Sequence, residues 1–159
     1  MKLKIFSFAV VLLSCLFLCT SVFAKQTEEP NISDLAKQLE NHSLLVYQKG
    51  NISFQDERGI KPLLIQIEKK GLKKSIVVDK VIGKAAALLM VYGKVKRVHT
   101  DIIAKDAIIV FEKYKVKYSY NKVVDYILNV KKDGLCPMEK KVKDIDSPKK
   151  AYKIFTEKK

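Results

Sequence analysis

Short apolar runs alternate with stretches of helical periodicity along most of the chain, and this alternation restricts the fold more than any other feature. Ser75 to Val78 is a run of the kind that is buried on both faces of a sheet. A helix from about Val81 to Tyr92 follows at once and ends at Gly93. Val95 to Ile103 is then predicted as a strand and Lys105 to Tyr114 as a helix. Alternation of this kind predicts an α/β domain.

A β-hairpin and several further helices complete the predicted architecture. A helix starts at Ser33 or Asp34 and runs to about His42, before two strands over Ser43 to Tyr47 and Asn51 to Gln55. The remaining predicted elements are a helix over Gly59 to Lys70, a strand over Val116 to Tyr120, and helical stretches near Val123 to Asn129, Pro137 to Lys143 and Pro148 to Thr156. Together they predict a three-layer α/β/α sandwich, with helices on both faces of a mixed sheet and the hairpin at one side.

The N-terminal residues have the three-part layout of a secretory signal peptide. Met1 to Lys4 carry two lysines, Ile5 to Cys19 are almost all apolar, and small residues lead up to Ala24. We expect cleavage after Ala24, which gives an exported protein, periplasmic or secreted, with no stable membrane span. An uncleaved signal would instead anchor the protein in a membrane. The rest of the chain is predicted as a polar leader over residues 25–32 and a single domain over residues 33–159.

The chain is strongly basic, with a formal net charge of +14, but the charge is diffuse. Of its 31 basic residues only Arg58 and Arg97 are arginines, and the lysines are spread along the whole length. Nucleic-acid interfaces usually include arginine for bidentate contacts and aromatic stacking platforms. We therefore expect no specific nucleic-acid interface. The lysines are explained either by solvated faces or by loose attraction to anionic envelope polymers or lipid headgroups.

The common enzyme signatures are missing from the sequence. It has no Gly-x-Gly-x-x-Gly, and neither Gly-Lys pair is completed into a phosphate-binding loop. His42 and His99 fall in separate elements, and Cys136 is the one cysteine outside the predicted signal peptide. A histidine and cysteine zinc site therefore has too few ligands unless carboxylates complete it. We predict no metal and no cofactor.

One candidate site lies where the Ser75 to Val78 strand passes into the following small-residue helix. Asp79, Lys80, Gly83 and Lys84 are its candidate ligand-binding residues. Ligands of α/β folds lie at this end of a strand, and backbone N–H groups at a helix start favour anions. Equally, the small residues let the helix pack closely on the sheet while the lysines reach water.

Two further segments carry candidate site residues. Arg58 precedes a predicted helix and is placed to bind a carboxylate or phosphate, or else lies on the surface of a capping segment. Cys136 precedes Pro137 at the start of another helix, where the helix dipole and neighbouring lysines would favour a thiolate. Glu139, in the first turn of that helix, is a candidate acid or base, or a capping side chain. Cys136 and Glu139 are the candidate catalytic residues, and a buried inert cysteine is the alternative for Cys136.

These clusters, in this order, resemble the DUF1893 family of bacterial proteins of unknown function, which is grouped with the cytidine deaminase-like fold. The resemblance runs from about Leu35 to Phe155. Its most recognisable pieces are Arg58-Gly59-Ile60-Lys61-Pro62-Leu63, the segment Asp79 to Leu89, and Cys136-Pro137-Met138-Glu139. It implies a cytidine deaminase-like sandwich in which the helix after Gly83 and the helix after Cys136 lie side by side.

True deaminases carry His-x-Glu or Cys-x-Glu on the first of these helices and Pro-Cys-x-x-Cys on the second. This chain has Gly83-Lys84-Ala85-Ala86 on the first helix and one cysteine on the second, so zinc-dependent deamination is predicted to be absent. The resemblance leaves a pocket at the same place, lined by Arg58, Asp79, Lys80, Lys84, Cys136 and Glu139.

Two functions from different classes follow. The first is an exported domain that binds an anionic or nucleotide-like small molecule, with or without catalysis. The alternative is a non-catalytic basic envelope protein that binds anionic polymers or a protein partner. The sequence sets neither a reaction type nor an oligomeric state.

Overall fold

The computed structural model describes residues 29–157, so the predicted signal peptide and the first part of the polar leader lie outside it. Its helices are α1 (Ile32–Gln38), α2 (Lys61–Lys69), α3 (Lys84–Tyr92), α4 (Lys105–Lys113), α5 (Pro137–Lys141) and α6 (Pro148–Thr156). Its strands are β1 (Leu44–Gln48), β2 (Asn51–Gln55), β3 (Ile76–Ile82), β4 (Arg97–Ala104) and β5 (Lys117–Val124). Within residues 29–157, no helix is both long enough and apolar enough to cross a bilayer.

The five strands form one mixed sheet in the order β2-β1-β3-β4-β5. Strand β1 is antiparallel to both β2 and β3, whereas β3, β4 and β5 are parallel. The hairpin turn consists of Lys49 and Gly50, whose φ angles are 52° and 81°. Two successive positive φ angles are what a two-residue hairpin turn of type I′ requires, because its twist matches that of the strands. The predicted mixed sheet with a hairpin at one side is confirmed.

Helices cover both faces of the sheet, but unequally. On one face, Leu35 of α1 packs in a cluster with Leu45, Ile76 and Val78 of the sheet. On the other face, buried side chains of α2, α3, α4 and α6 join a larger core cluster that includes Val46, Val77 and Val98. Helix α3 lies at the centre of this larger core, and its residues from Ala85 to Met90 are all buried. This is the predicted three-layer architecture, with α1 forming most of one layer.

Several predicted element boundaries differ from the structure; α1, for example, ends at Gln38 and not near His42. In two places a segment expected to be helical belongs to a strand. The helix expected from Val81 begins at Lys84, because Val81 and Ile82 continue β3 and pair with β4. The helix expected near Val123 to Asn129 is wrong. Strand β5 runs on to Val124, and Leu128 then forms an isolated bridge with Leu135. In both places sheet pairing outweighs the local helical periodicity.

Candidate functional site

A cavity of about 610 Å³ lies at the carboxyl end of β3. It is enclosed by the start of β1, the loop between β2 and α2, the segment 127–130 and the start of α5. Six of the residues predicted for the site line it: Arg58, Asp79, Lys80, Gly83, Cys136 and Glu139. Segments far apart in the sequence therefore meet here, as the resemblance implies for α3 and α5.

Asp79 lies within β3, beside Leu44 of β1 and Thr100 of β4. Its carboxyl is partly buried, and Oδ1 accepts a hydrogen bond from the backbone N–H of Val81 at 3.0 Å. No basic side chain within residues 29–157 forms an ion pair with it. Burial raises the pKa of Asp79 to about 7, against the smaller opposing effect of the Val81 and Lys80 backbone N–H groups. Near neutral pH this carboxyl can therefore accept hydrogen bonds or donate one.

Glu139 reaches across from α5 to cap α3. The backbone N–H of Lys84 donates to Oε2 of Glu139 at 2.8 Å, and that of Ala85 donates to Oε1 at 3.0 Å. Gly83 is the N-cap residue of α3 and supplies no side-chain cap of its own. The first N–H groups of α3 were candidates for binding an anionic ligand. They donate instead to a carboxylate of the same chain.

Lys84 is not brought to the cavity. Its Nζ donates to the carbonyl oxygen of Lys143 at 2.8 Å and lies 3.2 Å from Oδ1 of Asp146. Only 12% of the Lys84 side chain is exposed. The hydrogen bond from Lys84 is the main cause that lowers the pKa of Asp146. Lys84 therefore tethers the segment between α5 and α6, while its backbone N–H serves the helix cap.

Cys136 is the free cysteine of the described chain, and it lines the cavity in a half-buried position. Its backbone N–H donates to the carbonyl oxygen of Ile127 at 2.9 Å, and its own carbonyl accepts from the N–H of Lys140 at 3.1 Å. Cys136 is the N-cap residue of α5, but its side chain makes no capping hydrogen bond. The backbone of Cys136 is therefore fixed, while its thiol is one of the polar groups on the cavity wall.

Arg58 and His42 lie on the same cavity, at its solvent-exposed side. Arg58 is exposed in the loop before α2, and within residues 29–157 its guanidinium forms no ion pair. Nδ1 of His42 lies 2.5 Å from Oδ1 of Asp56, and its ring stacks on Phe54 with centroids 4.3 Å apart. Nζ of Lys80 donates to the carbonyl oxygen of Glu40 at 2.9 Å. Lys80 therefore has one carbonyl partner, whereas the Arg58 guanidinium has no ion-pair partner among residues 29–157 and can bind an anionic group.

Part of the cavity wall is not predicted from the sequence. Residues 127–130 line the cavity, and all but Val130 fall in the stretch predicted as a helix. Backbone pairing of Asn129 with Gly134, at 2.8 Å, folds this segment back on itself. The spacing of its apolar residues matches a helix, and the backbone pairing that makes it a cavity wall has no local signal in the sequence. His42 likewise has no neighbouring motif that points to the cavity.

The side chains of residues 29–157 do not form a metal site. Among residues 29–157, no group of three or more His, Cys, Asp and Glu side chains is arranged to hold a metal ion. In particular, Cys136 and Glu139 are near each other in α5, but Glu139 is engaged with the start of α3. The arrangement presents a cation, a partly buried carboxyl and a thiol around an apolar hollow.

The fold is the predicted α/β sandwich around a mixed five-stranded sheet, with its cavity at the carboxyl end of β3. Residues 13–159 match the family model described as "Domain of unknown function (DUF1893)", and the chain belongs to this family. The start of the match lies within the predicted signal peptide. Among the curated proteins compared, none matches the chain.

One of the solved structures similar to the chain belongs to the same family. A DUF1893 family protein from Thermotoga maritima superposes with a TM-score of 0.73 and 29% identity, over 78% of this chain and 86% of that one. A dCMP deaminase from the cyanophage S-TIM5 has a TM-score of 0.44 and 14% identity, over 60% of this chain and 99% of that one. RibD from Acinetobacter baumannii has a TM-score of 0.39 and 10% identity, over 55% and 32% respectively. The last two likenesses carry no information about the site.

Proposed function

We propose that this DUF1893 protein is a small-ligand-binding domain whose cavity at the end of β3 holds an anionic, nucleotide-like molecule. The observation that carries the proposal is the Arg58 guanidinium, which has no ion-pair partner among residues 29–157 and lies on the same cavity as Asp79. An arginine without a protein partner binds carboxylate or phosphate through two parallel hydrogen bonds.

The size and the lining of the cavity support the same class of ligand. Its volume of about 610 Å³ lies in the range of small-molecule sites, about 300–1,000 Å³. Ile60, Leu128 and Met138 give it apolar walls against which a flat ring can pack. A few polar groups among mostly apolar walls are typical of sites that fix the orientation of an organic molecule.

The first test is to compare native and denaturing mass spectra of the protein purified from its own compartment. A reproducible extra mass that is lost on denaturation is expected if a ligand is retained. The second test is calorimetric titration with adenosine 5′-monophosphate, cytidine 5′-monophosphate and ribose 5-phosphate. At least one of these phosphates is expected to bind.

Arg58→Ala is expected to weaken that binding about tenfold, because the charge-assisted hydrogen bonds to the phosphate are lost. Arg97→Ala is the matched control, since Arg97 lies at the opposite end of its strand from the cavity. A bare chain mass, together with no binding of any of the three phosphates, would contradict the proposal. Binding that Arg58→Ala leaves unchanged would also contradict it. The first result would favour the alternative of a basic protein that binds anionic polymers.

We also propose that the protein is exported. The support is the lysine, apolar and small-residue layout of residues 1–24, which lie outside the described structure. N-terminal sequencing of the protein from its source is expected to begin at Lys25. A membrane-bound form that begins at Met1 would instead show the uncleaved anchor, and a cytoplasmic form that begins at Met1 would contradict export.

A further inference from the structure

The charged groups on the cavity wall differ in whether the protein itself satisfies them. His42 and Asp56 bind each other, and the Lys80 ammonium donates to a backbone carbonyl. The Glu139 carboxylate accepts two N–H groups of α3. Among the charged cavity residues described here, Asp79 accepts one backbone N–H, from Val81, and Arg58 has no hydrogen-bond partner. Arg58 and Asp79 therefore keep most of their hydrogen-bonding capacity for a ligand.

An unpaired charge costs more free energy at Asp79 than at Arg58, because Asp79 is partly buried and Arg58 is exposed. Its carboxyl receives the Val81 N–H at 3.0 Å and no ion pair from the described chain. A carboxylate held away from water and without a counter-charge is costly, and it is stabilised when a donor or a cation approaches it. Burial raises the pKa of Asp79, as expected for a carboxyl that no cation neutralises. A bound molecule with an N–H group or a positive charge would remove this cost.

We propose that the ligand is an amino- or amidino-bearing organic anion, whose nitrogen donates to the Asp79 carboxylate while its anionic group binds Arg58. This inference rests on the proposed function and adds that the ligand carries a hydrogen-bond donor at the end opposite its anionic group. A simple inorganic anion or a ligand that presents only acceptors leaves Asp79 unmatched. A nitrogen base or amine at one end of an organic anion matches both groups at once.

The test isolates the Asp79 end with two probes of nearly the same shape. Benzamidine is a flat cation with two N–H donor groups, and benzamide is its neutral counterpart. Titrations of the full-length protein are followed by ¹H–¹⁵N NMR. Benzamidine is expected to bind at least tenfold more tightly than benzamide and to shift the amide signal of Val81, whose N–H donates to Asp79. Asp79→Asn is expected to abolish this preference, and Asp101→Asn, an exposed carboxylate on β4, is expected to keep it.

Each other outcome overturns the inference. Equal affinity for the two probes would show that Asp79 does not select a donor. A preference for benzamidine that persists in Asp79→Asn would place the cation elsewhere, and so would shifts that leave Val81 unmoved in the wild-type protein. No binding of benzamidine up to its solubility limit would also overturn the inference. Phosphate binding that depends on Arg58, measured separately, would leave the proposed function standing in all of these cases.

Discussion

A Cβ atom on Gly83 would lie 2.5 Å from Oε1 of Glu139. The glycine therefore leaves the room in which the Glu139 carboxylate accepts the first N–H groups of α3. Helix α3 is the most buried helix of the domain, and α5 forms one side of the cavity. A single contact between two residues thus ties the cavity wall to the hydrophobic core.

Gly83→Ala is expected to destabilise the protein by about 1–3 kcal/mol, because the added methyl displaces the carboxylate or strains the backbone around it. Urea denaturation measures this loss. Gly134→Ala is the control, since a Cβ there meets its nearest atom, Nδ2 of Asn129, at 3.9 Å, which is an ordinary contact. Equal stability of Gly83→Ala and wild type would contradict the close packing described here.

Glu139→Ala is expected to cost about 1 kcal/mol of stability, because two N–H groups at the start of α3 lose their acceptor. Glu139→Gln keeps one carbonyl oxygen and is expected to lose less. Both are measured by urea denaturation against Glu68→Ala, which removes an exposed glutamate from α2. If Glu139→Ala changes stability no more than Glu68→Ala does, the carboxylate does not act as a cap.

Asp79→Asn is expected to alter how stability depends on pH. The carboxyl has a reference pKa of 3.8 and a pKa of about 7 in the folded protein. Between these values the folded state binds more protons than the unfolded state, so the contribution of Asp79 to stability falls as pH rises. Stability of the variant relative to wild type should therefore increase from about pH 5 to about pH 8.

Urea denaturation at several pH values measures this difference, with Asp101→Asn as the exposed control. A difference between Asp79→Asn and wild type that stays constant over the range would show that the folded carboxyl titrates near its ordinary pKa.

Lys84→Met is expected to lower stability by on the order of 1 kcal/mol, since the carbonyl of Lys143 loses its donor and Asp146 loses its ion pair. Affinity for the phosphate probes should stay at the wild-type value, because Lys84 does not line the cavity. Arg58→Ala should show the reverse pattern, with binding weakened and stability kept. Weaker phosphate binding in Lys84→Met, at full stability, would restore the role expected of Lys84 from the sequence.

Most of the sheet could be predicted from the sequence because its signals are local. The Ser75 to Val78 run, the Lys49-Gly50 turn and Gly93 at the end of α3 each act within a few residues. Where local periodicity and sheet pairing disagree, as near Val123, pairing decides, and the strand partner that provides it is not visible in a single sequence.

The candidate site could be predicted as a set of residues but not as an arrangement. Arg58, Asp79 and Cys136 belong to motifs that the resemblance brings together, and they do line one cavity. The direction in which each side chain points depends on partners that are distant in the sequence. Lys84 is held outside the cavity by Asp146 and the Lys143 carbonyl. Glu139 is bound by the first N–H groups of α3. None of these contacts corresponds to a pattern in the sequence.

The contact between Lys84 and Glu139 joins residues 55 positions apart in the chain. Chains emerge from the ribosome N-terminus first, at about 5–20 residues per second. Helix α3 therefore leaves the ribosome several seconds before the carboxylate that finishes its first turn. During that interval the apolar surface of α3 can pack on the neighbouring strands, but the carboxylate that caps the helix is still missing. Helix α5 therefore completes the domain late. The last quarter of the chain is therefore needed to complete α3. A truncated product that ends before α5 would leave the first N–H groups of the central helix without the Glu139 carboxylate.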